Sequence, residues 1–224
     1  MIRIRPLAVN RRASGYSSWS RRCRTIAVRS DGQQTRDLIL DTAAKLATIE
    51  GLEGLSIGRL AGQLEMSKSG VYAHFRSKEA LQLATIDRAL EIFDREVIHP
   101  ALEAPTAFEQ LAAICHYFFS YLERQVFPGG CFFVTVAAEF DARPGPVRER
   151  VAETQRDWMG FLEQLARAAR DDGSVKPSID PAQLAFELNA FLEVADLLYL
   201  LVEDENILGR TRIAIRDTLA RARR

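Results

Sequence analysis

Histidine and cysteine are scarce, three of each in 224 residues, and none falls into a metal-ligand spacing. That excludes zinc frameworks built on paired Cys and His, and the disulfide-dense class. The odd count of cysteines, Cys23, Cys115 and Cys131, suits reduced thiols in a cytoplasmic protein. No apolar run approaches the roughly 18 residues of a membrane span. The greasiest stretches, Cys131 to Ala138 and Leu197 to Val202, are too short, so no membrane partner is expected. Internal repeats and convincing strand alternation are also missing. Acid is missing from the first thirty residues, which hold Arg3, Arg5, Arg11, Arg12, Arg21, Arg22, Arg24 and Arg29. Because the formal net charge is zero, the rest of the chain is net acidic. Residues 1–33 therefore read as a flexible basic extension. Three roles stay open for it: an arm on DNA, a transit-like leader, or an upstream extension without a role.

What is present is helical periodicity, backed by a hydrophobic share of 47% that is ample for a core. Leu38, Ile39, Ala43, Leu46, Ala47 and Ile49 predict a first helix from Thr35 to just before Gly51. Ser56, Ser67 and Ser77 each stand where an N-cap belongs, ahead of two short helices and one longer rod that Pro100 is expected to end. Thr106 and Glu109 form a capping box before a stripe running from Phe108 to Val126. The run CFFVTVAAEF (Cys131 to Phe140) has strand-like residues at its start. A lone strand would lack a ladder partner, so a buried helix is predicted. Pro146 suits the first turn of the next helix, to about Arg170. Asp180 and Pro181 open another that extends to Val202, and a last one carries Ile207 to Leu219. The expected fold is all-α, with about nine helices.

The chain is organised around Ser56 to Lys78, SIGRLAGQLEMSKSGVYAHFRSK. Ile57, Leu60, Ala61 and Leu64 give a short helix one apolar side, a polar turn follows, and a second short helix then offers Lys, Ser, Tyr and His. This is helix-turn-helix logic, in which the first helix supports a second whose outer face enters a DNA groove.

The ordered set from Leu38 to Leu81 resembles the N-terminal domain of TetR-family transcriptional regulators: a helix ending before Gly51, the Leu60-Ala61 pair, the Ser67 cap, Tyr72 and Phe75, and the Lys78-Glu79 start of a fourth helix. The stretch GGCFFVTVAAEFDARPGPVRERV (Gly129 to Val151) also looks like one branch of that family. After the extension over 1–33, the resemblance implies a DNA-binding domain over 34–80 with the helix-turn-helix proper at 56–75, and an effector-binding and dimerisation domain over 81–224. It implies a homodimer through the last two helices on a palindromic double-stranded operator. Ser67 to Phe75 would lie in the major groove, with Lys68, Ser69 and Gly70 near base edges and Tyr72 and His74 reaching base or phosphate, and Lys78 with the Ser56 and Ser77 caps would hold the backbone. Val71 and Phe75 face the core. Serine hydroxyls and lysine are independently suited to phosphate. Glu65 departs from the family, which commonly has Gly in that turn.

The segment Gly54-Leu-Ser-Ile-Gly58 matches the nucleophile-elbow motif of serine hydrolases, which needs a strand-to-helix turn in an α/β sheet. Ser56 is read instead as an ordinary cap. A helical interaction module without DNA is the other class weighed. No catalytic residue, metal or cofactor is assigned. The aromatic-rich middle holds more large apolar surface than a compact core needs. It is expected to line a cavity for a small, largely apolar effector, with Phe119, Phe133, Trp158 and Phe161 as walls and His116, Tyr121 or Asn189 as orienting groups. The expected function is a ligand-released transcriptional repressor.

Overall fold

A computed structural model describes residues 31–204 and 206–224. The basic stretch 1–30, with Cys23 and the roles weighed for it, lies outside the described residues. Nine helices build the rest: α1 Asp31–Glu50, α2 Ile57–Gln63, α3 Lys68–His74, α4 Lys78–Phe93, α5 Ala107–Glu123, α6 Phe132–Phe140, α7 Pro146–Asp171, α8 Pro181–Val202 and α9 Asn206–Ala222. Among the described residues the only β-type pairing is one antiparallel bridge between Val175 and Arg223. Buried apolar side chains from α1 to α9 form one contiguous cluster.

The caps act as the sequence suggests. Ser56, Ser67 and Ser77 accept the backbone N–H of Arg59, Gly70 and Ala80, and Thr106 accepts that of Glu109. Each bond satisfies one of the donors that a helix start leaves unpaired. The CFFVTVAAEF run is a helix, with Phe132, Phe133, Val136 and Phe140 buried.

Two boundaries differ from expectation. The first helix is already formed at Asp31, the first described residue, rather than beginning at Thr35, so residues 31–33, assigned to the extension, are helical. Nor does the rod end at Pro100. After Phe93 it widens into a π-helical turn, Asp94–Ile98, and continues through His99–Ala101. The His99 N–H reaches the carbonyl of Asp94, five residues back. In an α-register the Pro100 ring would press against the carbonyl four residues earlier, and the wider turn relieves that conflict.

The rod α4 is fastened on two sides. Arg88 binds Asp41 of α1 at 2.7 Å, and Arg150 of α7 binds Asp87 at 2.7 Å. The loop between α5 and α6 is a second junction. Gly129 lies against α1, where an added Cβ would stand 1.9 Å from the Thr48 carbonyl oxygen, and its N–H donates to Thr48 Oγ1. Two residues on, the Cys131 N–H donates to Asp196 Oδ1 of α8 at 2.8 Å. Gly130 has φ +88 and leaves no room for a Cβ beside Leu200 and Asp196.

Burial pushes the Asp196 carboxyl up to about 6 from its ordinary 3.8, while the Cys131 N–H pulls the other way. A raised carboxyl binds its proton more readily in the folded chain. The associated stability is complete below the unfolded value and is lost as the pH rises through about 6. Asp196→Asn keeps the acceptor oxygen and removes the titration. Melting temperatures of wild type and variant between pH 4 and 7 are expected to diverge as pH rises, the variant gaining up to about 3 kcal/mol at neutral pH. Parallel pH curves would contradict a buried, titrating Asp196.

Candidate nucleic-acid interface and effector pocket

Seven residues are too few for a helix to persist alone in water, so α3 depends on what it is packed against. Val71 and Phe75, four residues apart, share one face and are buried in the same cluster as Leu60 and Ala61 of α2. The opposite face is open. Ser67, Lys68, Ser69, Tyr72 and Ala73 are exposed, followed by Arg76, Ser77 and Lys78, and Tyr72 keeps 55% of its surface in solvent.

Of the residues expected at the interface, Ser56, Ser67, Lys68, Ser69, Tyr72, Ser77 and Lys78 are exposed, but several are engaged in the free chain. The Ser56, Ser67 and Ser77 oxygens accept cap bonds, which leaves each hydroxyl hydrogen to donate elsewhere. Ser67 and Ser69 hydroxyls are within 3.1 Å of each other. Lys68 lies back across α2, where a Cβ added at Gly58 would meet its Cε at 3.5 Å. Lys78 pairs with Glu53 at 2.7 Å, and this bond, with a second from Gln82, holds the Glu53 carboxyl below its usual range. Gly70 and His74 are half-buried, so they support the face more than they present it. Glu65 takes φ 54 in the turn between α2 and α3, the left-handed geometry that favours glycine.

Ser56 opens a helix that follows another helix, so the strand-to-helix elbow of a serine hydrolase is not formed there.

Two arginines escaped the sequence reading. Arg36 of α1 donates to the His74 carbonyl at 2.8 Å and lies over the Phe75 ring at 4.3 Å, closing the C-terminal end of α3. A cation there meets unpaired carbonyls and the negative helix end. Its sequence signal is only one basic residue in the first turns of α1, indistinguishable from a solvated charge. Arg76 is exposed immediately after α3, and its position beside Lys78 was the available signal.

The effector candidates divide into two places. Phe133, Trp158 and Asn189 join Phe93, Phe118, Thr154, Gln155, Cys131, Leu192 and Glu193 around one pocket between α4, α5, α6, α7 and α8. Phe93 is the hub of its rings, edge-on to Phe118, Tyr121, Phe133 and Trp158 at 5.3–6.3 Å. The Trp158 indole N–H donates to Asn189, whose amide donates to Glu193. In this conformer the pocket holds about 30 Å³, the room of one water molecule, so most of the aromatic surface is packed on itself. Tyr121, at 1% exposure, is core, and Phe161 packs behind Trp158. His116 and Phe119 instead line a separate groove beside α9, because they leave α5 on the face turned away from α4.

Two short helices at the head of the chain, the second open on its polar side and both resting on a bundle of longer helices, define the helix-turn-helix regulator class. Comparison with known proteins names the family. Residues 39–85 match the model for bacterial regulatory proteins of the tetR family, and residues 107–215 match the tetracyclin repressor-like C-terminal domain. The chain belongs to the TetR family.

Its fold is similar to a TetR transcriptional regulator from Chloroflexus aurantiacus J-10-FL, with TM-score 0.79 and 28% identity over 86% of this chain and 98% of that one. It is also similar to a TetR-family regulator from Cytophaga hutchinsonii, with TM-score 0.78 and 21% identity over 88% and 98%. AibR, solved with isovaleryl coenzyme A and operator DNA, has TM-score 0.64 and 22% identity over 84% and 98%. An HTH-type transcriptional regulator of Staphylococcus aureus (strain USA300) is 36% identical over 66 residues, 30% of this chain. That match spans only 36% of the staphylococcal protein.

Because Arg36 holds the exit of α3, Arg36→Ala is expected to lower DNA affinity about tenfold, equivalent to 1.4 kcal/mol, with a small fall in melting temperature. Fluorescence anisotropy beside calorimetry measures both, and unchanged affinity would remove Arg36 from the interface.

Proposed function

We propose that this chain is a ligand-released repressor that binds a palindromic operator as a homodimer, residues 34–80 engaging DNA and 81–224 binding effector and partner. The observation that carries the reading is the two-sided α3, with Val71 and Phe75 buried and Lys68, Ser69 and Tyr72 turned outward. On DNA, α3 enters the major groove, and Arg76, Lys78 and the cap hydroxyls contact phosphates. Lys78 exchanges Glu53 for a phosphate at little cost, since exposed ion pairs contribute at most about 1 kcal/mol.

Dimerisation is supported by a stripe along α8. Phe186, Val194, Leu197 and Leu201 are 53–74% exposed at helical spacing, and Ile213 of α9 adds to it. A continuous apolar strip of this kind marks an interaction surface, and a second copy presents the same strip for two-fold pairing. Two α3 helices then address major grooves about 34 Å apart.

Release follows from the closed pocket. An apolar effector must part the ring cluster, and Phe93, next to the π-turn, carries that displacement into α4. A second route runs through α6, whose Glu139 carboxylate accepts the N–H groups of Leu52 and Glu53 at 2.7 and 2.9 Å. Glu53 in turn binds Lys78 and Gln82 at the start of α4. Effector and operator thus favour different placements of the same rod, which is a coupling free energy between two sites.

A gel shift at low salt, using DNA upstream of the chain's own gene, is expected to give a complex with a two-fold footprint. Tyr72→Ala is expected to weaken it by more than tenfold while light scattering still reports a dimer. Leu201→Arg is expected to give monomers and to weaken the complex through lost bivalency. Wild-type protein that ignores DNA at low salt overturns the reading.

A further inference from the structure

The groove that claims His116 and Phe119 holds about 410 Å³. Its walls are two helices. Phe108, Ala112, Cys115, His116 and Phe119 come from α5, Arg212, Ile215, Arg216, Leu219 and Ala220 come from α9, and Arg223 stands just past its end. Each set repeats at three- and four-residue steps, so each is one continuous helix face. The helices stand apart because α9 packs mainly on α8.

The lining has a definite chemistry. Its floor is apolar, made by Phe108, Phe119, Ile215 and Leu219. Arg212 lies over the Phe119 ring at 4.7 Å and Arg223 over the Phe108 ring at 5.6 Å, so a guanidinium is held against an aromatic face at each end. Arg216 is a third cation, and no carboxylate is among the lining residues. Glu123 and Asp217, which pair with Arg212 and Arg216, stand outside the lining.

We propose that this groove binds an anionic amphiphile, its apolar body along the Phe108–Phe119 floor and its oxyanion head on Arg212 or Arg223. Guanidinium is the cation best matched to carboxylate and phosphate because it donates two parallel N–H bonds. The chain's own N-terminal stretch is a poor occupant, since its eight arginines carry the same sign of charge. Neutral or cationic guests form no ion pair with the guanidinium groups. A bound anion bridges α5 and α9 and stabilises the folded chain by mass action. The site is separate from the ring pocket and does not depend on operator binding.

Isothermal titration of the DNA-free protein with decanoate, monodecyl phosphate, decanol and decyltrimethylammonium tests this. Saturable binding of either anion at least tenfold tighter than that of decanol or the cation is expected, and the two anions against each other tell which head is preferred. The double variant R212Q/R223Q should lose anion binding at least tenfold, whereas R212K/R223K should retain more of it. If the glutamine variant misfolds, NMR titration of labelled wild type decides, with decanoate shifts expected at Phe108, Phe119 and Arg212. Equal affinity for decanol, binding undiminished in R212Q/R223Q, or shifts confined to the Phe133 and Trp158 pocket overturns the proposal.

Discussion

The helix that would touch DNA has no stability of its own, and the rest of the molecule exists to hold it. Two side chains four residues apart, Val71 and Phe75, are buried, which turns Ser69, Tyr72 and Ala73 to solvent. Arg36 closes the far end through a carbonyl and a ring, and Ser67 closes the near end. A short helix fixed at both ends and along one edge is preorganised, so little conformational freedom remains to be lost when its open face is occupied.

That fixed unit is joined to the larger bundle at a few defined points rather than by a loose linker. Thr48 meets Gly129, Glu139 meets the turn at Leu52 and Glu53, and Arg88 meets Asp41. These joints come from α5–α6, α6 and α4, the elements that also supply Phe118, Phe133 and Phe93 to the ring pocket. Close-packed rings do not deform smoothly, so under the proposed function a guest among them is transmitted as a displacement of whole helices. The π-turn beside Phe93 is where α4 is least regular, and it lies between the pocket and the rod's end.

Local signals were legible wherever one residue type does one job. Serine at three helix starts, and Pro146 and Pro181 in first turns, all marked boundaries the fold keeps. The π-turn was not legible, because proline at a helix end and proline just after a widened turn leave the same trace in a sequence. The effector residues were only half legible. Aromatic periodicity on α5 revealed its apolar character, but both faces of that helix carry rings, and which face meets α4 and which meets α9 depends on helix packing.

By itself the sequence determined the helices, their caps, the two-sided character of α3 and the family to which the chain belongs, because these follow from propensities and spacings within a few residues. Only the tertiary structure decided that Arg36 reaches across to α3, that Glu139 seizes two backbone N–H groups some 87 residues away, and that His116 and Trp158 line different concavities. The physical reason is range. Caps and helical faces are local, whereas the partner of a charge and the neighbour of a ring are set by how separate helices cross.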